Sequence, residues 1–233
     1  MSPDAVAQYL QHNPKFFEEY ADLMAQIFVP HPHGGRAISL PERQMLTLRE
    51  KVRSLEHTLA DLVETGHSND SLSSKMHRLT IALLAAVAQS PQQVLGIMNY
   101  HLREDFAIPH TAFRAWGVVP AHAALDDGER VSAALKRLAA GADGGPKLPY
   151  CGPVQGLVAD GAALGAEVAG WFGDAGPHLR SLALMPVRGH GGGGLLALAS
   201  EDEHRFYSGM GTLYLERLAE SLSAALTHLF APQ

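Results

Sequence analysis

The sequence predicts an α+β domain, a sheet with helices packed against it, that is preceded by short helices and a long coiled-coil helix. Three observations lead to this prediction. Apolar residues recur at heptad spacing through residues 39–90. Two apolar, strand-like segments flank a glycine-rich turn at residues 181–200. Helical patterns precede and follow that hairpin, and a mixture of this kind is typical of α+β folds.

Composition narrows the class of protein before any motif is considered. The chain has 233 residues, of which 46% are hydrophobic, and this apolar fraction is too high for a disordered protein. The formal charge of −6 argues against nucleic acid as a partner. A single cysteine cannot form a disulfide within one chain, and a reduced thiol suits the cytoplasm.

The N-terminal residues carry no pattern of a targeting segment. No positively charged stretch is followed by an apolar one, as a signal peptide requires. The most apolar stretches, residues 79–87 and 181–187, are far shorter than the ~20 residues that cross a bilayer. We therefore expect a cytoplasmic protein with no membrane partner.

The first predicted segment, residues 1–38, consists of two short helices. Ser2 before Pro3 and Asn13 before Pro14 each place a capping residue ahead of a proline that can open a helix. Prolines and glycines at residues 30–35 are expected to end the second helix.

The second predicted segment, residues 39–90, is one long helix that opens with a Ser39–Glu42 capping box. Its heptad positions predict a homodimer interface, with parallel or antiparallel pairing left open. The interface residues are Met45, Leu48, Val52, Leu55, Leu59 and Leu62. Polar residues then occupy the same register at Gly66, Asn69 and Ser73. They indicate either a hinge or a break between two helices.

The third predicted segment, residues 75–233, is the α+β domain itself. A helix follows Pro91, and a terminal helix covers residues 206–230. Between them the patterns predict strands at 111–119, 181–187 and 195–200, helices at 131–139 and 161–172, and a loop at 141–153.

Six residues of this domain are candidates for contact with a small molecule. Arg114 places a charge inside an apolar strand, so it either faces solvent or meets an anion or a carboxylate. Aromatic side chains often line pockets, although they are equally common in ordinary cores. The candidate ligand-binding residues are Arg114, Trp116, Tyr150, Cys151, Trp171 and Met185.

Patterns for catalysis, metals and phosphates are weak. Cys151 would need a lowered pKa and a nearby base to act as a nucleophile, and a small hydrophobic residue in a loop is the simpler interpretation. His31 and His33 could chelate a metal but lack further ligands, while the glycines at 141–147 lack the end of a P-loop. We expect a protein that is not an enzyme, has no metal site and binds no cofactor that the sequence identifies.

Several patches resemble an uncharacterised bacterial family, DUF484, in which a GAF-like domain follows a helical N-terminal region. The hairpin at 182–198 is similar to the paired strands near the end of many GAF domains. The patches that resemble DUF484 lie at residues 6–10, 13–17, 30–35, 39–44, 77–80, 150–153, 205–206 and 209–212.

The resemblance implies a pocket for a small molecule over the sheet and dimerisation through helices at the ends of the domain. The chain departs from the two well-known ligand classes of GAF domains. It lacks the N-K-x-F-D-E pattern of cyclic-nucleotide binders, and Gly152 follows Cys151 where bilin-binding domains have histidine.

Three functions are consistent with these sequence features. The first is a homodimeric sensory or regulatory module that binds a small molecule and signals through the long helix. The second is a protein-interaction adaptor with a vestigial pocket, which docks a partner through aromatic residues of the N-terminal helices: Phe16, Phe17, Tyr20 and Phe28. The third is an enzyme that depends on Cys151.

Overall fold

The computed structural model describes residues 2–29, 38–141, 147–159, 161–189 and 191–230, and it confirms the α+β class with a long helix. The chain divides into two compact units, Met1–Asp70 and Ser71–Gln233. The division falls inside the long helix. The three-segment organisation of residues 1–38, 39–90 and 75–233 stays a prediction.

The described part of the first unit contains three short helices, a small antiparallel strand pair and most of the long helix. Its elements are α1 (Pro3–His12), α2 (Phe16–Glu19), α3 (Ala21–Gln26), β1 (Phe28–Val29), β2 (Ile38–Ser39) and α4 (Leu40–Ala86), the last of which continues into the second unit. Ser2 caps α1, since its hydroxyl accepts from the Ala5 N–H at 3.3 Å. The second predicted helix is split at Tyr20, where φ is −115°. The segment expected to end it, residues 30–35, lies outside the described residues.

Helix α4 begins as the capping residues predict, because Ser39 Oγ accepts from the Glu42 N–H at 3.4 Å. It continues without a break through Gly66, Asn69 and Ser73. The alternative of two separate helices is therefore wrong. One glycine costs a helix only about 1 kcal/mol, so the flanking turns sustain it.

The described residues of the first unit form no hydrophobic core. Over residues 2–29 and 38–70, wherever the structure describes the side chain, not one residue is buried. Burial of apolar surface is the main favourable term that offsets the entropy of ordering a chain. The described part of this unit therefore gains little stabilisation from apolar burial within itself.

The second unit is built on a four-stranded antiparallel sheet with the strand order β3-β8-β7-β4. After the end of α4 its elements are α5 (Pro91–Glu104), β3 (His110–Trp116), α6 (Ala133–Ala139), β4 (Tyr150–Pro153), β5 (Val158–Ala159), β6 (Ala162–Ala163), α7 (Gly165–Ala169), β7 (Ser181–Arg188), β8 (Gly193–Ser200) and α8 (Leu213–Ala225). Four 3-10 segments accompany them: Pro120–Leu125, Val154–Gly156, Gly170–His178 and Thr227–Leu229.

Both faces of this sheet are covered, and we name the two faces after the helices that cover them. On the α5/α8 face, Leu196 and Leu198 pack with the end of α4, α5 and α8. On the α6/α7 face, Leu195 and Ala197 pack with α6 and α7. Successive residues of a strand point to opposite faces, so β8 is buried along its whole length.

The end of α4 is fastened to the end of α5 by charged and polar groups. Arg78 Nη2 donates to Asp105 Oδ1 at 3.2 Å, and His101 Nδ1 lies 2.6 Å from Asp105 Oδ2. The hydrogen bond with His101, followed by the one from Arg78, lowers the pKa of Asp105 below its usual value. The carboxylate form of Asp105 therefore joins the two helices.

Three predicted elements in this unit need correction. The helix predicted at 161–172 is only α7 (Gly165–Ala169), because Ala162–Ala163 pair with β5 as a strand and a 3-10 segment begins at Gly170. Residues 150–153, predicted as part of a loop, form the edge strand β4, with Cys151 paired to Ala183 of β7. Pro153 hides the strand pattern in the sequence, although proline is tolerated on an edge strand. The terminal helix is shorter than predicted, since α8 covers only Leu213–Ala225.

Candidate functional site

Four of the six predicted ligand-binding residues lie on the α6/α7 face of the sheet. Arg114 and Trp116 are alternate residues of β3, and the register pairs Arg114 with Leu195 of that face. Tyr150 of β4 packs on the same side. Trp171 reaches it from the 3-10 segment that follows α7.

The 3-10 segment Gly170–His178 places two consecutive aromatic rings against β3. The Trp171 ring lies 5.9 Å from the Arg114 guanidinium carbon, and the Phe172 ring contacts the His110 ring edge to face at 6.3 Å. Gly173 follows them with φ 57° and ψ −127°, a conformation that requires glycine and turns the segment back. Trp171 and Phe172 thus lie against the edge strand β3, and we call these two rings the aromatic lid.

Among the described residues, the counterion of Arg114 is a carboxylate that Arg130 shares. Arg114 Nη1 lies 3.5 Å from Asp127 Oδ2, while Asp127 Oδ1 lies 3.8 Å from Nη1 of Arg130. Asp127 therefore lies between two guanidinium groups, of which that of Arg130 is 78% exposed to solvent. Sequence reasoning missed Asp127, because nothing in the local pattern distinguishes it from the adjacent Asp126.

Two hydrogen-bond donors of this site are buried without an acceptor. Arg114 Nε and Trp171 Nε1 have no partner among the residues that the structure describes. A buried donor left unsatisfied costs about 1–3 kcal/mol, so most such groups in native proteins find a partner. The arrangement is one that a molecule carrying an acceptor would complete.

Tyr150 is committed to its own strand end. Its hydroxyl donates to the Pro153 carbonyl at 2.7 Å. Burial, and next the charge of the Cys151 thiolate, raise the pKa of the phenol above its usual value. Tyr150 is therefore a neutral side chain that packs on the α6/α7 face, and its hydroxyl already has a hydrogen-bond partner.

Cys151 and Met185 lie on the α5/α8 face and so are not brought together with the other four residues. The reason is strand geometry, since neighbours such as Tyr150 and Cys151 point to opposite faces. Burial raises the pKa of the Cys151 thiol to about 11. The thiol is protonated at neutral pH, whereas nucleophilic cysteines have a lowered pKa.

Metal coordination finds no support in the described part of the chain. It contains no group of three or more His, Cys, Asp or Glu side chains that could hold an ion. His57, His67 and His77 are spaced along α4. His31 and His33 lie outside the described residues.

The predicted dimer interface forms an exposed row on α4, which we call the α4 stripe. Its six side chains are between 51% and 64% exposed in the single chain. The stripe consists of Met45, Leu48, Val52, Leu55, Leu59 and Leu62. Within the described residues, no helix is long and apolar enough to cross a bilayer.

Comparison with known proteins places the whole chain in one family. The family described as "Protein of unknown function, DUF484" matches residues 1–230. This is a DUF484 protein. The resemblance seen in the sequence patches is thereby confirmed.

Enterobacterial relatives support the same assignment for this DUF484 protein. "Uncharacterized protein YigA" of Salmonella typhimurium strain LT2 is 28% identical over 230 residues, which cover 95% of this chain and 89% of the relative. The protein of the same description from Escherichia coli strain K12 is 26% identical over 231 residues, with the same coverage. The likeness therefore extends over both units.

The raised pKa of Cys151 in this DUF484 protein gives a testable pH dependence. We expect iodoacetamide to alkylate the folded protein about 100-fold more slowly at pH 7.5 than the urea-unfolded protein, because two pKa units reduce the thiolate fraction by that factor. The rate should rise about tenfold per pH unit up to pH 10. Mass spectrometry of timed samples measures it. A rate that levels off below pH 9 would contradict the high pKa.

Proposed function

We propose that this protein is a non-enzymatic regulatory module that works as a homodimer and binds a small molecule on its second unit. The observation that carries the proposal is the contrast between the two units. The second unit has a core on both faces of its sheet, while the described first unit has none and displays the α4 stripe. The second unit has its own core around the sheet, and the first unit exposes a row of apolar side chains that a second copy of the chain can cover.

A second copy of the chain is the partner that fits the α4 stripe best. The stripe repeats at alternating steps of three and four residues, so two copies can interdigitate as a coiled coil. Each large apolar side chain that becomes buried contributes about 1.5–3 kcal/mol. A symmetric dimer buries twelve of them and supplies the core that one copy lacks.

The residues along the stripe favour parallel pairing. With Val52 at an a position, Met45 and Leu59 also fall at a, and leucines fill d at residues 48, 55 and 62, so the stripe suits a two-stranded coiled coil. The charges beside the stripe bear on its direction. Lys51 then falls at g and Glu56 at the following e. In a parallel dimer, Lys51 of one copy faces Glu56 of the other and attracts it.

Parallel pairing predicts a specific cross-link. In a Cys151→Ala background, Leu55→Cys should form a covalent dimer on mild oxidation, because identical d positions meet across a parallel seam. Non-reducing gel electrophoresis measures the product. Ser54→Cys is the matched control, since that position faces away from the seam. Equal yields from the two variants would count against a parallel seam at this register.

Binding of a small molecule is supported by the α6/α7 face. Arg114 and the lid residue Trp171 present donors without an acceptor among the described residues, and small-molecule pockets commonly combine apolar walls with a few polar groups. The order of elements from α5 to α8 is also the order on which the resemblance to GAF domains rests. That resemblance makes regulation through ligand binding an inference from fold analogy.

A second function, docking of a protein partner, is favoured by the aromatic cluster of the N-terminal helices. The Phe16 ring stacks on Tyr20 at 4.8 Å and meets Tyr9 and Phe17 edge to face. Tyr9 and Tyr20 nevertheless stay half exposed. Aromatic residues are enriched at interfaces between proteins, so the cluster suits an adaptor surface.

Native mass spectrometry of the full chain, purified without denaturant, tests the proposed function. We expect twice the chain mass, together with a population that carries a small additional mass removed by collisional activation. A monomer at micromolar concentration would refute the dimer. A dimer that never carries additional mass and is not stabilised against heat by any small molecule would favour the adaptor.

A further inference from the structure

We propose that the molecule bound on the α6/α7 face presents an oxyanion, a carboxylate or phosphate group, to Arg114 Nε and Trp171 Nε1. This inference rests on the proposed ligand-binding function and specifies the chemistry of the ligand. It is drawn from three observations on the same site: the unused donors, the local charge and the lining of the adjoining cleft.

The first observation concerns hydrogen bonds. Arg114 and Trp171 are in contact, with the guanidinium carbon 5.9 Å from the ring centroid, and each has one buried N–H without a partner among the described residues. Both unused groups are donors, so the missing group is an acceptor. An anion with two or more oxygens can accept from both at once.

The second observation concerns charge. Asp127 is the carboxylate that the structure places beside Arg114, and it is 3.5 Å from that guanidinium and 3.8 Å from Arg130. The Arg114 and Asp127 side chains are only 27% and 19% exposed, so water screens them weakly. Asp127 is shared with Arg130, whose side chain is 78% exposed to water, so a ligand oxyanion would add a second negative partner beside Arg114.

The third observation is a cleft of about 400 Å³ that Trp171 and Phe172 border from the side of the lid. Arg103 and His110 line it as well, and no Asp or Glu occurs among its described lining residues. Between His110 and Arg114, on the same face of β3, stands the small side chain of Ala112. The cleft therefore borders Trp171, one of the two residues with an unused donor, and its described lining carries no carboxylate.

A buried water is the rival occupant of the same position. One water can accept from both N–H groups, but it is neutral and adds no charge to that of Asp127 beside Arg114. An oxyanion accepts from the donors and also attracts the Arg114 guanidinium. The two occupants differ in whether added anions compete for the site.

The chain offers a direct reporter, because it has only two tryptophans. Each indole N–H gives one peak in a ¹H–¹⁵N spectrum, and Trp171→Phe assigns them. We expect sodium acetate or sodium phosphate to shift the Trp171 peak saturably, while sodium chloride at equal ionic strength does not. Saturation by acetate alone identifies a carboxylate site, and saturation by phosphate alone identifies a phosphate site.

Variants connect the shift to Arg114. Arg114→Gln should weaken the response about tenfold or more, because the charged partner is lost. Arg188→Gln, an equal change of charge at an exposed arginine of β7, should change it less than twofold. If Arg114→Gln does not fold, Arg114→Lys keeps the charge without the Nε–H fork and should still weaken binding.

The inference is overturned if neither oxyanion shifts the Trp171 peak saturably, if chloride shifts it equally, or if Arg114→Gln and Arg188→Gln respond alike. Native mass spectrometry separates this failure from failure of the proposed function. A dimer that carries a neutral molecule but gives no oxyanion response would retain the ligand-binding function and reject only the oxyanion.

Discussion

The double variant Leu55→Asp/Leu59→Asp is expected to be monomeric at micromolar concentration. Both side chains belong to the α4 stripe, and in a symmetric coiled coil the double change buries four carboxylates at adjacent layers of one seam. An unpaired charge at such a position costs several kcal/mol, and about 4 kcal/mol already weakens the dimer about a thousandfold. Multi-angle light scattering, with the wild type at the same concentration, measures the change in mass.

The matched control for this variant is Ser54→Asp/Ala60→Asp. It adds the same two charges to the same turns of α4. Ser54 and Ala60 fall at c and b positions of the heptad, which face away from the proposed seam. The control should remain dimeric. If the Leu55→Asp/Leu59→Asp protein keeps the dimer mass, the α4 stripe is not the interface, and the coiled-coil part of the proposed function fails with it.

Gly165→Ala is expected to cause the largest loss of stability in the second unit. Gly165 opens α7, and an added Cβ there would overlap the backbone carbonyl of Val154. Backbone cannot move aside as a flexible side chain can, so we expect a loss of about 3 kcal/mol. For a chain of this size, that loss lowers the melting temperature by about 6–12 °C. Differential scanning calorimetry measures it.

The control is Gly170→Ala, five residues further along the chain, at the end of α7. Gly170 has helical backbone angles, φ −61° and ψ −18°, and an added Cβ there meets no atom within 4 Å. This variant should be neutral or slightly more stable, because alanine restricts the unfolded chain. Equal melting temperatures for the two variants would show that the α7 start is not packed as described.

The elements that sequence analysis located correctly are those defined by local spacing. The Ser39 cap, the heptad positions at the start of α4 and the α5 start at Pro91 each depend on residues within a few turns of one another. Strand β4 was missed because its identity comes from pairing with β7, while its own four residues include a glycine and a proline. Pairing between distant segments leaves little trace in a short stretch of sequence.

The candidate site divides in the same way. Sequence alone singled out Arg114 and the aromatic residues, since a charge inside an apolar strand is itself unusual. It grouped Cys151 and Met185 with them, because residue type carries no information about the face of a sheet. Asp127, the shared counterion, and Phe172, the second ring of the lid, became part of the site only through the fold.

The sequence by itself determined the α+β class, the family and the α4 stripe, because composition and periodicity within one element are sufficient for each of them. Only the tertiary structure decided that Arg114 and Trp171 are in contact, and that Tyr150 and Cys151 lie on opposite faces of the sheet. The physical reason is that a strand sends successive side chains to opposite faces, and a distant segment then packs over one face alone. The tertiary structure likewise showed that no described side chain of the first unit is buried. It thereby showed that the apolar residues of the α4 stripe are exposed in the single chain, which the sequence pattern alone does not establish.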